Sequence, residues 1–347
     1  MPASCSEMYW PAIHIPEAYG GLGLGFVELA ILLEQMGRRL LCSPFFATAC
    51  LATPALLLAG SEAQKQRWLP AIAEGRVRGT LGFGDGGAWT AHGISVTATP
   101  EGDGYVLDGE YAQVIDGHSA DLLVVAARLA GSSGEQGIGL FLVEAGQAGL
   151  ARQWQPTMDQ TRRLGRIRFT RLYVAPDAVL GEAGNAWPRL QDVLRLACVG
   201  LAAEQVGGAQ QALDLSVAYL QERQQFGRPL ASFQALKHRA ADMMLQVECA
   251  RSACYYAACV AQEALDPAGD AQVAAELPLA AALAKSQCSQ AYFHCAAESI
   301  QLHGGVGFTW EYDPHLYFKR ARASESYFGA PAWHLQQIAN VIIGEQP

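Results

Sequence analysis

The chain has 347 residues, 51% of them hydrophobic, and a formal net charge of −9. That length exceeds what one core usually organises, so two or three packed domains are expected. The acidic balance argues against a nucleic-acid partner, no charge-free apolar run is long enough to span a bilayer, and MPASCSEMYW lacks the basic flank and apolar stretch of a secretion signal, so a cytoplasmic protein is expected.

From Gly25 to about Gly75 apolar residues recur at helical spacing, in VELAILLEQMGRRLL, ATPALLLAG and SEAQKQRWLPAIAEG, and Ser61 followed three residues on by Gln64 predicts a capping box. The glycines of YGGLGLG (19–25) follow no strand and precede no acidic residue of a βαβ unit, so they read as a turn between helices rather than a dinucleotide fingerprint. From about Gly79 to Gly181 the text changes to short β runs divided by glycine turns: GISVTATP, GYVLDG, DLLVVAAR, GIGLFLVEA and RIRFTRLYV. From Trp187 onward Ala/Leu-rich helices return, with Leu213, Val217 and Leu220 on one face and Leu236, Ala240, Met243 and Val247 on the next. Pro267 and Pro278 are expected to bound a loop before another long helix, which Gly304 and Gly305 stop as a C-cap would. The domain boundaries that follow are 1–78, 79–183 and 184–347.

The nine cysteines include no CxxC pair and no zinc-type Cys/His spacing, so they read as small buried hydrophobes of a reduced compartment and no metal site is expected. QERQQFGRPLASFQALKHRAADMM (221–244) interrupts a helical run, with Pro229 ending the helix and Gly227 permitting a tight turn. Arg223 there sets a guanidinium beside the flat ring of Phe226, with the Gln234 amide close behind. Together they suit a ligand that carries a pyrophosphate and a flat ring.

RQQFGRPLASFQALKHRAADM resembles the signature of the acyl-CoA dehydrogenase flavoprotein family, and QLHGGVGFTWEYDPHLYFKRA near the C-terminus resembles its second signature. The similarity continues through PEAYGGLGLGFVELAILLEQMGR, SEAQKQRWLPAIAEG and RLYVAPDAVLG, and so spans essentially the whole chain. The resemblance implies a multidomain α+β fold: a short N-terminal α-helical domain, a middle β-barrel or sandwich domain and a C-terminal four-helix bundle. It also implies FAD, held across a subunit interface by Arg223, Gln225, Phe226 and Gln234 and met from the facing subunit by Gln301, Gly304 and Gly305.

Three departures accompany the match. Where the family carries hydroxyls that touch the flavin, this chain has FGDGGAWTA (83–91), and where the family has Trp-Ile-Thr-Asn-Gly it has Gln113-Val114-Ile115-Asp116-Gly117. Where many members place the catalytic Glu in Tyr-Glu-Gly-Thr, it has Tyr327-Phe328-Gly329-Ala330, and Ala197 stands at the other position used for that base. A proton beside a thioester needs a carboxylate made basic by a dry pocket, which leaves Glu204, two turns beyond Ala197, as the candidate, with Glu325 and Asp116 behind it. The family also has further helices before MYWPAIHIPEAYGG.

Two readings of function follow from the resemblance. The first is an FAD-dependent acyl-CoA dehydrogenase that converts an acyl-CoA thioester to a trans-2-enoyl-CoA and passes electrons to an electron-transfer flavoprotein. The second is a non-catalytic subunit that completes the FAD site of a catalytic homologue, as in two-gene α2β2 assemblies acting on bulky steroid or side-chain thioesters. A flavoprotein oxidase or monooxygenase is a third alternative. On any of them the chain is a homo- or hetero-oligomer, a dimer or tetramer.

Overall fold

The structure is a computed structural model and describes residues 8–84 and 89–344. The expected order appears: helices, then a β-sheet, then helices. By packing the chain divides into two compact units, Met1–Leu29 with Ser43–Ala197 and Ala30–Cys42 with Cys198–Pro347.

In the first unit a turn carries YGGLGLG into α1 (Phe26–Arg38). A helical run over 45–59 contains one π-helical turn, Thr48–Ala52, and continues as α2 (Thr53–Ala59). The Thr48 hydroxyl holds that turn in place, donating to Pro44 O at 2.9 Å and accepting from Gly79 N at 3.2 Å. Next, α3 (Glu62–Ala73) starts with the expected capping box, in which Ser61 N donates to Gln64 Oε1 at 2.8 Å and Gln64 N to Ser61 Oγ at 3.3 Å. The buried Gln64 amide does more than cap: Nε2 also donates to Asp177 O and Val179 O.

Among the described residues eight strands form the sheet: β1 (Gly79–Gly82), β2 (Thr97–Glu101), β3 (Gly104–Ile115), β4 (Leu122–Leu129), β5 (Ile138–Glu144), β6 (Leu150–Gln155), β7 (Leu164–Val174) and β8 (Val179–Leu180). Their order is β6-β7-β3-β2-β4-β5-β8, with β1 parallel to β4. Inward positions build one core around Val96, Leu107, Tyr111, Leu123, Val125, Phe141, Ile167 and Phe169. In β7 the buried positions run 167, 169 and then 172, 174; the two-residue period slips by one at Arg171, which has φ 44, opposite a register shift between Leu107 and Gly109. A β-bulge of this kind returns Leu172 and Val174 to the core face. The GIS of GISVTATP is not strand, because a 3-10 turn at Ala91–Gly93 occupies its start. Three strands escaped the alternation pattern: β1 is short and wholly buried, β8 has two residues, and β6 has no buried residue.

In the second unit, α4 (Trp187–Glu222, from Cys198 onward), α5 (Gln234–Leu265), α7 (Leu277–His303) and α8 (Pro314–Ser326) surround a core of Leu213, Leu220, Met243, Val247, Tyr292, Cys295 and Tyr317, and α9 (Pro331–Ile343) lies against α7. The central helix is α7, which packs against α5, α8 and α9. Small residues fill many of its buried positions, Ala280, Ala284, Cys288, Ala291, Cys295 and Ala296 among them, and its exposed face carries Leu279 and Leu283, so it shows little amphipathic stripe. The segment expected as loop between Pro267 and Pro278 contains a short α6 (Ala271–Ala274), capped by Asp270, and Pro278 lies inside the first turn of α7. A proline is tolerated there because that N–H has no helical partner.

The second half of α1 crosses α4 so closely that a Cβ on Gly207 would collide with the Glu34 carbonyl oxygen, and one on Gly37 with that of Glu204. Polar contacts flank this crossing: the buried Glu34 carboxylate accepts from Tyr255 Oη at 2.6 Å and Arg251 Nε at 3.3 Å, while Arg38 Nη2 pairs with Asp214 Oδ2 at 2.7 Å. The burial expected of the cysteines holds for 50, 198, 254, 288 and 295, but Cys42, Cys249 and Cys259 are exposed on outward helix or loop positions; Cys5 lies outside the described residues.

Candidate cofactor and catalytic sites

Beyond Glu222 the chain reverses through a two-residue hairpin. β9 (Gln224–Gln225) pairs with β10 (Arg228–Pro229), and Arg223 closes the base, its amide donating to Tyr219 O and its carbonyl accepting from Leu230 N, each at 2.8 Å. The corner residues Phe226 and Gly227 have φ 55 and 76, the pair of left-handed conformations that a tight hairpin needs. Glycine adopts this freely; phenylalanine does so at a cost of about 1 kcal/mol or more. Phe226 is 87% exposed. Arg228 stacks over Phe233 at 4.0 Å, while Arg223, Gln225 and Gln234 are exposed around the hairpin.

At the far end of α7, Gln301, Gly304 and Gly305 are also exposed, and Gly304 has φ 64 at the helix stop. Two residues that the sequence motifs did not single out tie this end to the hairpin. The His303 ring stacks on Tyr219 at 4.4 Å between centroids, with Nδ1 2.7 Å from Ser299 O, and burial lowers the basicity of that ring. Tyr219 carries the carbonyl that holds Arg223, so the stack brings the ends of both sequence signatures together.

A hairpin that presents an exposed flat ring, in T-shaped contact with Phe233 at 6.1 Å between centroids, beside two guanidiniums fits the adenosine and pyrophosphate half of FAD. The segments expected at the flavin itself fit it poorly. Gln113 is exposed, Ile115 is buried and its carbonyl accepts from Thr80 Oγ1 at 2.6 Å, and Asp116 is buried at φ 54. Neither an aromatic ring nor a side-chain hydroxyl stands at 113 or 115, and residues 85–88 of the FGDGGAWTA stretch lie outside the described residues.

The turn Tyr327–Gly329 is fully enclosed. Phe328 is 4% exposed, with φ 58. Its carbonyl lies 3.0 Å from His334 Nε2 and accepts from Cys198 Sγ at 3.8 Å. Behind it, the buried Lys285 ammonium donates to Ser289 Oγ at 2.9 Å, Glu325 O at 3.0 Å and Gly329 O at 3.1 Å. Burial pulls Lys285 down to about 8, and burial followed by the Lys285 charge pulls His334 down to about 4. The turn therefore ends in a lysine clamp and presents no carboxylate.

Glu204 is buried, with Oε2 3.9 Å from Arg320 Nη1. The crevice around it, lined by Gly37, Leu201, Gln205, Tyr292, Arg320 and Ser324, leaves no room for a water-sized sphere. Of the other candidates, Glu325 pairs with Arg322 at 2.5 Å, and Asp116 is buried at the end of β3.

The two signatures, the helix–sheet–helix order and the hairpin define a flavoprotein of the dehydrogenase type. Residues 3–76 match the family described as acyl-CoA dehydrogenase, N-terminal domain, and residues 184–343 the acyl-CoA dehydrogenase C-terminal domain. The chain is 33% identical to acyl-CoA dehydrogenase IpdE2 of Mycobacterium tuberculosis over 97% of its own length and 85% of the relative's. It superposes on butyryl-CoA dehydrogenase from Megasphaera elsdenii with a TM-score of 0.90 at 27% identity, covering 99% and 90% of the two chains. On a chain of the ChsE4-ChsE5 complex from Mycobacterium tuberculosis the TM-score is 0.85 at 27% identity, covering 99% and 87%. The chain belongs to the acyl-CoA dehydrogenase family, whose reaction is the FAD-dependent α,β-dehydrogenation of an acyl-CoA thioester. Among the described residues no helix is long and apolar enough to cross a membrane, and no group of three or more His, Cys, Asp or Glu is placed to hold a metal ion.

Proposed function

We propose that this chain serves acyl-CoA dehydrogenation as one subunit of a cytoplasmic hetero-oligomer with two copies of each chain. It presents Arg223, Gln225, Phe226, Gln234 and the Gln301–Gly305 segment to the adenosine and pyrophosphate half of FAD. The homologous partner chain supplies the base and the flavin-facing polar groups. FAD, when bound, accepts the two electrons that the substrate loses, and an electron-transfer flavoprotein receives them in turn. The exposed, strained Phe226 supports the first part, because such a ring is stabilised when a ligand or subunit covers it.

The observation that carries the rest is the turn at Phe328, apolar, buried and clamped by Lys285. Proton removal from Cα requires a carboxylate within hydrogen-bond reach of the substrate. Glu204 meets the chemical requirement, and its burial among apolar residues favours a second reading in which the chain is a complete enzyme with Glu204 as base. Against that, a crevice too narrow for water offers a substrate carbon no approach, and the Arg320 guanidinium lies 3.9 Å from the carboxylate as an ion-pair partner.

Glu204→Gln separates the two. It preserves shape while removing proton acceptance. Anaerobic stopped-flow of the assembled complex should show flavin reduction by an acyl-CoA within about threefold of wild type; a loss of roughly a hundredfold or more, with melting unchanged, would establish Glu204 as the base and overturn the subunit reading.

A further inference from the structure

We propose that the turn between β3 and β4, residues 116–121, forms with Arg152 and Arg163 a separate binding site for a phosphate group. The turn is pinned from three directions. Asp116 N donates to Arg163 O at 2.9 Å, which fastens the residue preceding β7 against it. Gly165 lies so close that a Cβ there would be 2.5 Å from His118 N. From β6, Arg152 Nη1 donates to Ala120 O at 2.5 Å, and from the residue before β1, Arg78 grips Asp121 through Nε to Oδ2 at 2.8 Å and Nη2 to Oδ1 at 2.9 Å. Three separate segments thus hold one short turn, two of them through the guanidiniums of Arg78 and Arg152 and the third through the Arg163 carbonyl.

His118 stands among them. Its basicity is lowered by burial first and then by Arg163, Arg152 and Arg78, so all three charges act on one ring. Its Nδ1 is enclosed without a hydrogen-bond partner. Two carboxylates belong to the turn: Asp121 is held by Arg78, and Asp116 is buried. Among the described residues Arg152 and Arg163 have no carboxylate partner. In a chain of net charge −9, a gathering of cations that lowers the basicity of a nearby imidazole is stabilised by an anion placed among them. A phosphate suits the arrangement better than a carboxylate. Its oxygens point in several directions and accept from guanidiniums approaching from different sides, whereas a planar carboxylate satisfies one fork.

The phosphate belongs either to free inorganic phosphate or to a nucleotide ligand, and one titration distinguishes them. Calorimetry of the full-length protein with inorganic phosphate, pyrophosphate, CoA and dephospho-CoA, at constant ionic strength, should show saturable binding that Arg163→Gln weakens on the order of tenfold and Arg152→Gln/Arg163→Gln further, with melting unchanged. CoA binding more tightly than dephospho-CoA assigns the site to a phosphomonoester on a nucleotide; inorganic phosphate binding as well as CoA assigns it to the free ion. The His118 C2-proton resonance, assigned with His118→Gln, should titrate at higher pH when phosphate is bound. Absence of saturable binding by every probe, or binding unchanged in the folded Arg163→Gln protein, overturns the proposal. Arg163 is exposed, so that single variant remains informative where the double variant fails to fold.

Discussion

Replacing Lys285 with Met tests whether the clamp behind the Phe328 turn is a buried cation. Lys285 has no solvent exposure, and burial lowers it from 10.5 to about 8. The charged form is therefore disfavoured in the folded state by roughly 3 kcal/mol, because each tenfold loss of proton affinity is worth about 1.4 kcal/mol. Below pH 8 both folded and unfolded chains carry the proton, and this penalty is fully present. Between about 8 and 10.5 the unfolded chain binds more protons than the folded one, so stability contributed at this site rises with pH. Lys285→Met removes the proton and the slope with it. The variant also strands the Glu325 and Gly329 carbonyls at about 1–3 kcal/mol each, offset by relief of the buried charge. Urea unfolding at fixed protein concentration, from pH 7 to 10.5, should show wild type gaining roughly 3 kcal/mol relative to the variant. Parallel curves, within about 0.5 kcal/mol, would refute the buried-cation argument.

Gly207→Ala should destabilise by about 1–3 kcal/mol or more, because its Cβ meets a backbone oxygen of α1 that no rotamer change can move; a circular-dichroism melt equal to wild type would contradict the close crossing. Arg223→Ala should weaken FAD retention by about 1.5–3 kcal/mol, read as flavin occupancy after dialysis of the assembled complex. Unchanged occupancy would remove Arg223 from the cofactor site.

The sequence made legible what local chemistry determines. Ser61 and Gln64 announce a capping box, and Pro229 with Gly227 announces the break that became the hairpin. It concealed what depends on distant chain. Nothing near Gln64 signals that its amide also serves carbonyls of residues 177 and 179. β6 was missed because none of its residues is buried, and β1 because a short, fully buried parallel strand has no alternation to read. At the candidate site, Arg223, Phe226 and Gln301 were visible as motif residues. Lys285, His303 and Tyr219 were not, since their parts depend on carbonyls and rings brought together only by packing. Glu204 was visible as a carboxylate in an apolar run, but its Arg320 neighbour lies in another helix.

The central claim is that this chain completes an FAD site without supplying its chemistry. The most direct test is the visible absorbance of the protein purified alone and co-purified with a homologous acyl-CoA dehydrogenase chain, before and after anaerobic addition of an acyl-CoA. The account predicts little retained flavin and no bleaching for the chain alone, and a flavin in the two-chain complex that the acyl-CoA bleaches. One FAD per chain in the protein alone, bleached by an acyl-CoA, would contradict it.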